Sequence, residues 1–250
     1  MTSELRHRII DISHRLAAKG FVAATDGNVS ARLPGGTILA TRSGINKGMV
    51  APEDIVEVSP EGSLLAGAGR PSTELGMHLF IYRERPDVQA VVHAHPPYAT
   101  GFATARRPLD QCLFPEVIVG LGSIPLAPYA TPSTGQVAAS IAPYVATHQA
   151  VLMTNHGAVT WGADLLEAYF RMEKVEHAAH VAFVAAVLGG AVPLDPSQVE
   201  QLRDITQTSY GKSPDLADMC SPSHDTDLQD DERTLRRYIE EALQKRGVIR

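Results

Sequence analysis

The sequence predicts an α/β layer fold. Segments with helical periodicity intermix with short β-branched runs along the chain. Glycine and proline punctuate those runs. Apolar residues make up 44% and charged residues 20% of 250 positions, enough for a sizeable core. No internal repeat is visible.

The elements follow in order. Leu5, Ile9, Ile12 and Leu16 share one face of a first helix, which Ser3 is placed to cap and Gly20 to end. A glycine-punctuated strand region follows through Gly27, Asn28, Val29 and Ser30. Residues 37–41 read as a short strand ending at Ser43-Gly44. Residues 54–58 and 63–65 read as a hairpin around Pro60-Glu61-Gly62. Pro71-Ser72-Thr73-Glu74 opens a helix that runs to about Arg85, with Ser72 or Thr73 as N-cap and Pro86 closing it.

Residues 88–93 are a β-branched run and read as a buried strand. A small-residue helix is expected over 97–105, a strand over 124–126, a helix over 133–146 and a strand over 150–154. Asn155-His156-Gly157 sits at the C-terminal end of that last strand. Residues 164–188 form the longest expected helix, capped by Asp164 and stopped by Gly189-Gly190. From Pro193 on the pattern weakens. Residues 211–231 are rich in Pro, Ser and Asp and read as a linker, and residues 232–245 as a short charged helix. The expected organisation is one domain over 1–210, then a tail over 211–250.

Several function classes are disfavoured. A net charge of −6 does not suit a general nucleic-acid binder, which needs a basic face. The N-terminus has no apolar signal region, and the longest apolar stretch, 181–188, is too short to span a bilayer. Cys112 and Cys220 lie far apart and do not read as a disulfide framework, so a reducing cytoplasm is expected.

The histidines carry the chemistry. His93 and His95 are two apart in a strand, so both point to the same side. Two imidazoles emerging together at a strand end can grip one metal ion, and His156 ends another strand. Three neutral histidines leave a coordination position open, the catalytic rather than the structural arrangement. A lone H-x-H pair is weak evidence by itself; the third histidine strengthens it. A rival set, Glu173, Glu176, His177 and His180, shares one face of the long helix, but reads better as the polar side of an amphipathic helix. Glu74 stands in a first helical turn, where acids are favoured in any case. The same helix start offers free N–H groups with the Ser72 and Thr73 hydroxyls, a natural anion site. The turns Gly27-Asn28 and Ser43-Gly44 can add donors to it.

These pieces in this order resemble the class II aldolase/adducin family. The matching segments are GNVS at 27–30, TRSG at 41–44, RPSTE at 70–74, VVHAHPP at 91–97, APYA at 127–130 and NHG at 155–157. The resemblance implies a three-layer α/β/α fold: a central mixed, mainly antiparallel sheet of nine strands with helices on both faces. It implies that His93, His95 and His156 bind zinc, or another divalent cation such as Mn2+, Mg2+ or Co2+. Glu74 would contact the metal without substrate and then act as acid/base. Phosphate would be held by Asn28, Ser43, Gly44, Ser72 and Thr73. C4 homotetramers with sites between subunits are common in the family.

The chain also departs from the family pattern. Sugar-phosphate aldolases of the family bring a neighbour's tyrosine near the segment matching Leu113–Glu116. Here Phe114 has no hydroxyl and Glu116 is an unexpected acid, so Glu116 and Tyr210 are the candidates for a second acid/base. Arg42 replaces a proline common in the phosphate-binding turn. Lys47 reads as a site-edge cation rather than a Schiff-base lysine.

The leading expectation is a metal-dependent aldolase acting on a ketose phosphate or similar hydroxy-carbonyl compound. The second is a decarboxylase of an aromatic or hydroxy/oxo carboxylate, with Arg42 and Lys47 meeting the carboxylate. A pentulose-phosphate 4-epimerase needs a second acid/base that the sequence does not locate. A non-catalytic adducin-like module conflicts with the retained histidines and Glu74. The expected partner is a small phosphorylated or carboxylated substrate, with neither nucleic acid nor membrane.

Overall fold

The structure, a computed structural model, describes residues 2–210 and Cys220. Helix α1 (Thr2–Ala18) leads into strands β1 (Asn28–Arg32), β2 (Ile38–Thr41), β3 (Ile55–Val58) and β4 (Leu64–Ala66). Then come α2 (Leu75–Glu84), β5 (Ala90–Ala94), α3 (Pro97–Thr104), α4 (Pro115–Leu121) and β6 (Leu126–Ala127). Helix α5 (Gly135–Val145), β7 (Ala150–Met153), β8 (Gly157–Gly162), α6 (Leu165–Val187) and α7 (Pro196–Tyr210) complete it. One eight-stranded sheet runs in the order β4-β3-β2-β1-β5-β8-β7-β6. Only β6 and β7 pair in parallel. The resemblance implied a ninth strand. Among the described residues the nearest feature is a single Leu109–Ile124 bridge just before β6, too short to extend the ladder.

Strand alternation builds the three layers. On β5, Ala90, Val92 and Ala94 face a core shared with Ile9, Ile12 and Leu16 of α1, with α3 and with Met172 and Val175 of α6. Val91 faces the opposite core, shared with Leu75 and Ile81 of α2 and Val137 and Ile141 of α5. Both faces of the strand are therefore covered, which is why it reads as a continuous apolar run.

Three elements escape the sequence rules. Strand β8 is buried at every position, so its two faces show no polar alternation, and a glycine at each end hides it. Helix α4 is short and rich in valine and isoleucine, which mimics a strand; Val117 and Leu121 instead pack into the first core. Helix α7 lies on α4 and presents a mostly exposed surface, so its periodicity is weak.

Local expectations are also corrected. Ser3 lies inside α1, which begins at Thr2, and does not cap it. Helix α2 begins at Leu75, so Ser72 and Thr73 precede its cap position, which Glu74 occupies without capping its own helix. The Glu74 carboxylate is drawn elsewhere, as described below.

Cys112 and Cys220 are joined by a disulfide. Both are buried beside Ile118, with Leu194, Val199 and Leu202 packed against them. Sequence distance misled here, because α7 returns the chain to α4 and so to Cys112. The pairing removes the reason for expecting a reducing compartment. Among the described residues no helix is long and apolar enough to cross a membrane. The expected linker over 211–231 (Cys220 apart) and the helix over 232–245 lie outside the described residues.

Candidate metal centre and active site

His93 is placed by the middle of the sheet. It pairs with Asn28 of β1 on one side and Val159 of β8 on the other. It is fully buried, and its Nδ1 lies 2.9 Å from the Ala158 carbonyl oxygen. A carbonyl only accepts, so Nδ1 carries the proton and Nε2 presents a bare lone pair. His95 follows the strand end on the same side, its backbone N–H donating to Phe21 O at 2.8 Å. Its Nε2 lies 3.2 Å from that of His93.

His156 arrives from the turn between β7 and β8. Asn155 takes a left-handed backbone there, with φ at 58°, which asparagine tolerates better than most residues. Gly157 is required by close approach: a Cβ would lie 2.5 Å from Ala94 O and 2.6 Å from His95 Cδ2. Gly27 plays the same part on the other side, where a Cβ would meet His93 O at 2.8 Å. The two glycines let β1 and β8 close on the histidine pair. The three rings then stand 4.9, 4.9 and 5.0 Å apart, edge to face. One nitrogen from each lies within 4.8 Å of the others.

Glu74 completes the cluster. Its Oε1 is 3.0 Å from His156 Nε2 and its Oε2 is 3.3 Å from His93 Nε2. Asn28 Nδ2 donates to Oε2 at 3.0 Å and to Ser72 Oγ at 3.2 Å. Burial pushes the Glu74 carboxyl up, but His93 and His156 outweigh it and hold the group far below the usual carboxylate range. Burial, with His93 and His156 beside it, lowers the His95 imidazole to about 4. The resting site therefore gathers a carboxylate and inward-facing imidazole nitrogens.

A divalent cation suits this arrangement. In a tetrahedral shell with bonds of roughly 2.0–2.1 Å, neighbouring donor atoms stand roughly 3.3 Å apart. Three of the spacings found here, 3.0, 3.2 and 3.3 Å, are of that size, and the histidine nitrogens all lie within 4.8 Å of one another.

The sequence matches the model of the Class II Aldolase and Adducin N-terminal domain over residues 7–183. The chain belongs to this family. It is 34% identical over 185 residues to the 3-oxo-tetronate 4-phosphate decarboxylase of Escherichia coli (strain K12), covering 72% of this chain and 86% of that protein. It is 32% identical over 180 residues to the L-fuculose phosphate aldolase of Methanococcus maripaludis (strain C5 / ATCC BAA-1333), covering 72% and 96%. A solved L-fuculose 1-phosphate aldolase superposes with a TM-score of 0.76 at 30% identity, over 82% of this chain and 96% of that one. This class II aldolase family member is thus a carbon–carbon lyase of a divalent-metal-dependent family, with the α/β fold its sequence predicts.

The enzyme's other candidate residues fall into two groups. Ser43 and Gly44 are brought beside the 70–74 segment by the Ser43 N–H to Arg70 O bond at 2.8 Å and an Arg42–Pro71 bridge. Ser72 is tied to Asn28, and Thr73 accepts from the Ser133 hydroxyl at 2.7 Å. The five anion-site candidates thus converge beside Glu74. Glu116, by contrast, is exposed in the first turn of α4, and no contact joins its side chain to the histidines among the described residues. Tyr210 ends α7, and its side chain lies outside what is described.

Arg42 is not a free cation, since its Nε holds Asp54 Oδ1 at 2.6 Å. Lys47 is not at the site edge; it is 1% exposed. The rival set on α6 resolves into structural contacts. Glu176 accepts from the Tyr98 and Ala99 N–H groups at 3.0 and 2.9 Å and so caps α3. His180 stacks on Tyr98 at 4.0 Å, His177 meets Phe114, and Glu173 pairs with Lys19.

Sequence reasoning missed Asp26, whose Oδ2 lies 3.5 Å from His95 Nδ1 and helps turn Nε2 inward. Its place directly before Gly27-Asn28 was the available signal. Ser133, with φ at 63°, was missed as well, because only the fold carries it to Thr73.

Proposed function

We propose that His93, His95 and His156 hold one divalent cation, zinc first among the candidates and Mn2+, Mg2+ or Co2+ as alternatives, and that Glu74 moves the proton in C–C bond cleavage. The substrate proposed is a ketose phosphate or a similar hydroxy-carbonyl compound. One observation carries this reading: imidazole nitrogens and a carboxylate face one another at 3.0–3.3 Å, an arrangement that calls for a cation. The bound ion supplies Lewis-acid stabilisation of the charge that cleavage leaves beside a carbonyl.

The chain's own groups do the rest. Asn28 orients the Glu74 carboxylate through its amide. When substrate oxygens displace Glu74 from the histidines, burial becomes the dominant influence on it. Its pKa then rises towards the range that an acid/base needs. Asn28, Ser43, Gly44, Ser72 and Thr73 hold the phosphate at the start of α2, where the positive end of the helix dipole favours an anion even though the Glu74 and Leu75 N–H groups already bond Ser72. Inorganic phosphate is accordingly expected to inhibit, and a Ser72→Ala/Thr73→Val double variant to weaken that inhibition about tenfold. Unchanged inhibition in the double variant would place the anion elsewhere.

A second reading is decarboxylation of a phosphorylated oxo acid. Phe114 favours it, since retro-aldol cleavage also needs a hydroxyl proton removed, and Phe114 brings no phenol for proton transfer. Loss of CO2 from a 3-oxo acid leaves the same charge beside the carbonyl and asks only for a proton at carbon. The E. coli decarboxylase among the relatives supports this reading. Mass spectrometry of metal-loaded enzyme with a panel of ketose phosphates and phosphorylated oxo acids separates the two. A triose product indicates the aldolase, CO2 the decarboxylase, and neither from any substrate overturns the lyase assignment.

The proposal includes a catalytic domain over 1–210, a tail over 211–250 and a homotetramer with sites at subunit boundaries. Closed symmetry would give each site the same neighbour-supplied group, Glu116 or Tyr210. Light scattering should give a mass near four chains. Mixing Glu74→Gln subunits with Glu116→Gln or Tyr210→Phe subunits should restore part of the activity. A fully active monomer refutes both parts; a tetramer without complementation refutes the shared site.

A further inference from the structure

Among the described residues Lys47 is the one lysine or arginine that is fully buried. It opens a short 3-10 turn, Lys47–Met49, and its ammonium donates to two main-chain carbonyls, Thr25 O at 3.1 Å and Ile45 O at 2.7 Å. Those carbonyls belong to the two turns that deliver anion-site candidates. Thr25 stands three residues before Asn28, and Ile45 directly follows Ser43-Gly44. The charges that act on Lys47 are Asp26 and Glu74. Asp26 faces His95, and Glu74 is held by His93, His156 and Asn28. Arg42, the other cation of the 42–47 turn, is neutralised by Asp54.

Burying a charge without a close counter-charge is unfavourable, so a site that keeps one needs a compensating partner. Asp26 and Glu74 act on the ammonium from a distance, and an anion bound at the two turns that Lys47 joins would add a partner. At Gly44, where φ is 73°, a Cβ would meet nothing within 4 Å, so the turn opens onto free space. Burial lowers the Lys47 pKa to about 8 against the opposing pull of Asp26 and Glu74, which leaves the ammonium mostly charged at neutral pH.

We propose that Lys47 is a positioning residue of the anion site: it clamps the turn before Asn28 to the Ser43-Gly44 turn, and its ammonium, held by carbonyls and in direct ion-pair contact with no carboxylate among the described residues, attracts the phosphate of the substrate. This rests on the anion site proposed above. The chemistry suits a phosphoryl group, which hydroxyl and N–H donors and a nearby buried cation all favour.

The test is calorimetric binding of inorganic phosphate to the full-length, metal-loaded protein, beside steady-state kinetics. Lys47→Gln keeps an N–H donor for a carbonyl and removes the charge. It should weaken phosphate by about tenfold or more and raise KM for a phosphorylated substrate, with kcat and metal content little changed. It should also flatten the salt dependence of phosphate binding, which loss of packing alone would not do. Lys47→Arg should restore most of the affinity. Lys47→Met, which matches the length of the stem, serves if the glutamine variant does not fold. Wild-type phosphate affinity and salt dependence retained in either neutral variant would overturn the role of Lys47 and leave the anion site standing. A wild-type protein that binds no phosphate would overturn the anion site and this inference with it.

Discussion

Glu74→Gln is expected to keep the divalent ion and to lose activity by roughly two to four orders of magnitude. The amide preserves the shape that fits between His93 and His156, and a ligand set of three imidazoles remains to hold the ion. What disappears is the group proposed to take up and return the proton. The loss should fall on kcat, because the residues proposed to bind the substrate's phosphate are untouched. The variant should also retain phosphate binding, which separates a chemical defect from a collapsed site. Metal analysis and turnover on one sample decide the matter. Near wild-type turnover would reduce Glu74 to an acid at a helix start.

His93→Ala should have the larger effect on the metal, with occupancy falling at least about tenfold and activity falling with it. His93 is the fully buried member of the proposed ligand set, and the Ala158 carbonyl locks its tautomer so that Nε2 faces inward. His95 is partly exposed, and His156 comes from a turn, so neither is preset to the same degree. Binding needs unprotonated imidazoles, so acidification should release the ion. The depressed pKa of His95, about 4, places its own proton uptake well below neutrality, so this ligand stays available through the mildly acidic range. Equilibrium dialysis against pH, with wild type and variant side by side, reads both effects. Full occupancy in His93→Ala would remove it from the ligand set.

The legible parts of the site share a physical property: they obey rules that act over a few residues. Strand alternation alone puts His93 and His95 on one side. Gly27-Asn28 and Asn155-His156-Gly157 read as turns because glycine and asparagine tolerate backbones that others resist. The amphipathic stripe of α1 and the cap of α6 at Asp164 are equally local. Helix α6 also shows where spacing alone stops: of Glu173, Glu176, His177 and His180, expected as a polar helix face, Glu176 is buried as the cap of α3. Ligand-like spacing along one helix says nothing about a metal until the facing element is known, and here it is the start of α3.

The sequence by itself determined the candidate ligand types, the turn chemistry and most of the helices and strands, because these depend on side-chain pattern and backbone preference within one or two turns of chain. Only the tertiary structure decided that β8, invisible for want of a polar face, lies beside β5 and carries His156 to His93. It also decided that Glu74 leaves its helix for those histidines, across 19 and 82 residues of sequence when the positions 93 − 74 and 156 − 74 are compared. Lys47 is a buried clamp instead of an edge cation because α1 and the two turns close over it, and Cys112 meets Cys220 because α7 folds back on α4. Each of these pairings is a long-range closure. Its entropy cost is met by burial of surface on both partners at once, and no window of the sequence contains both.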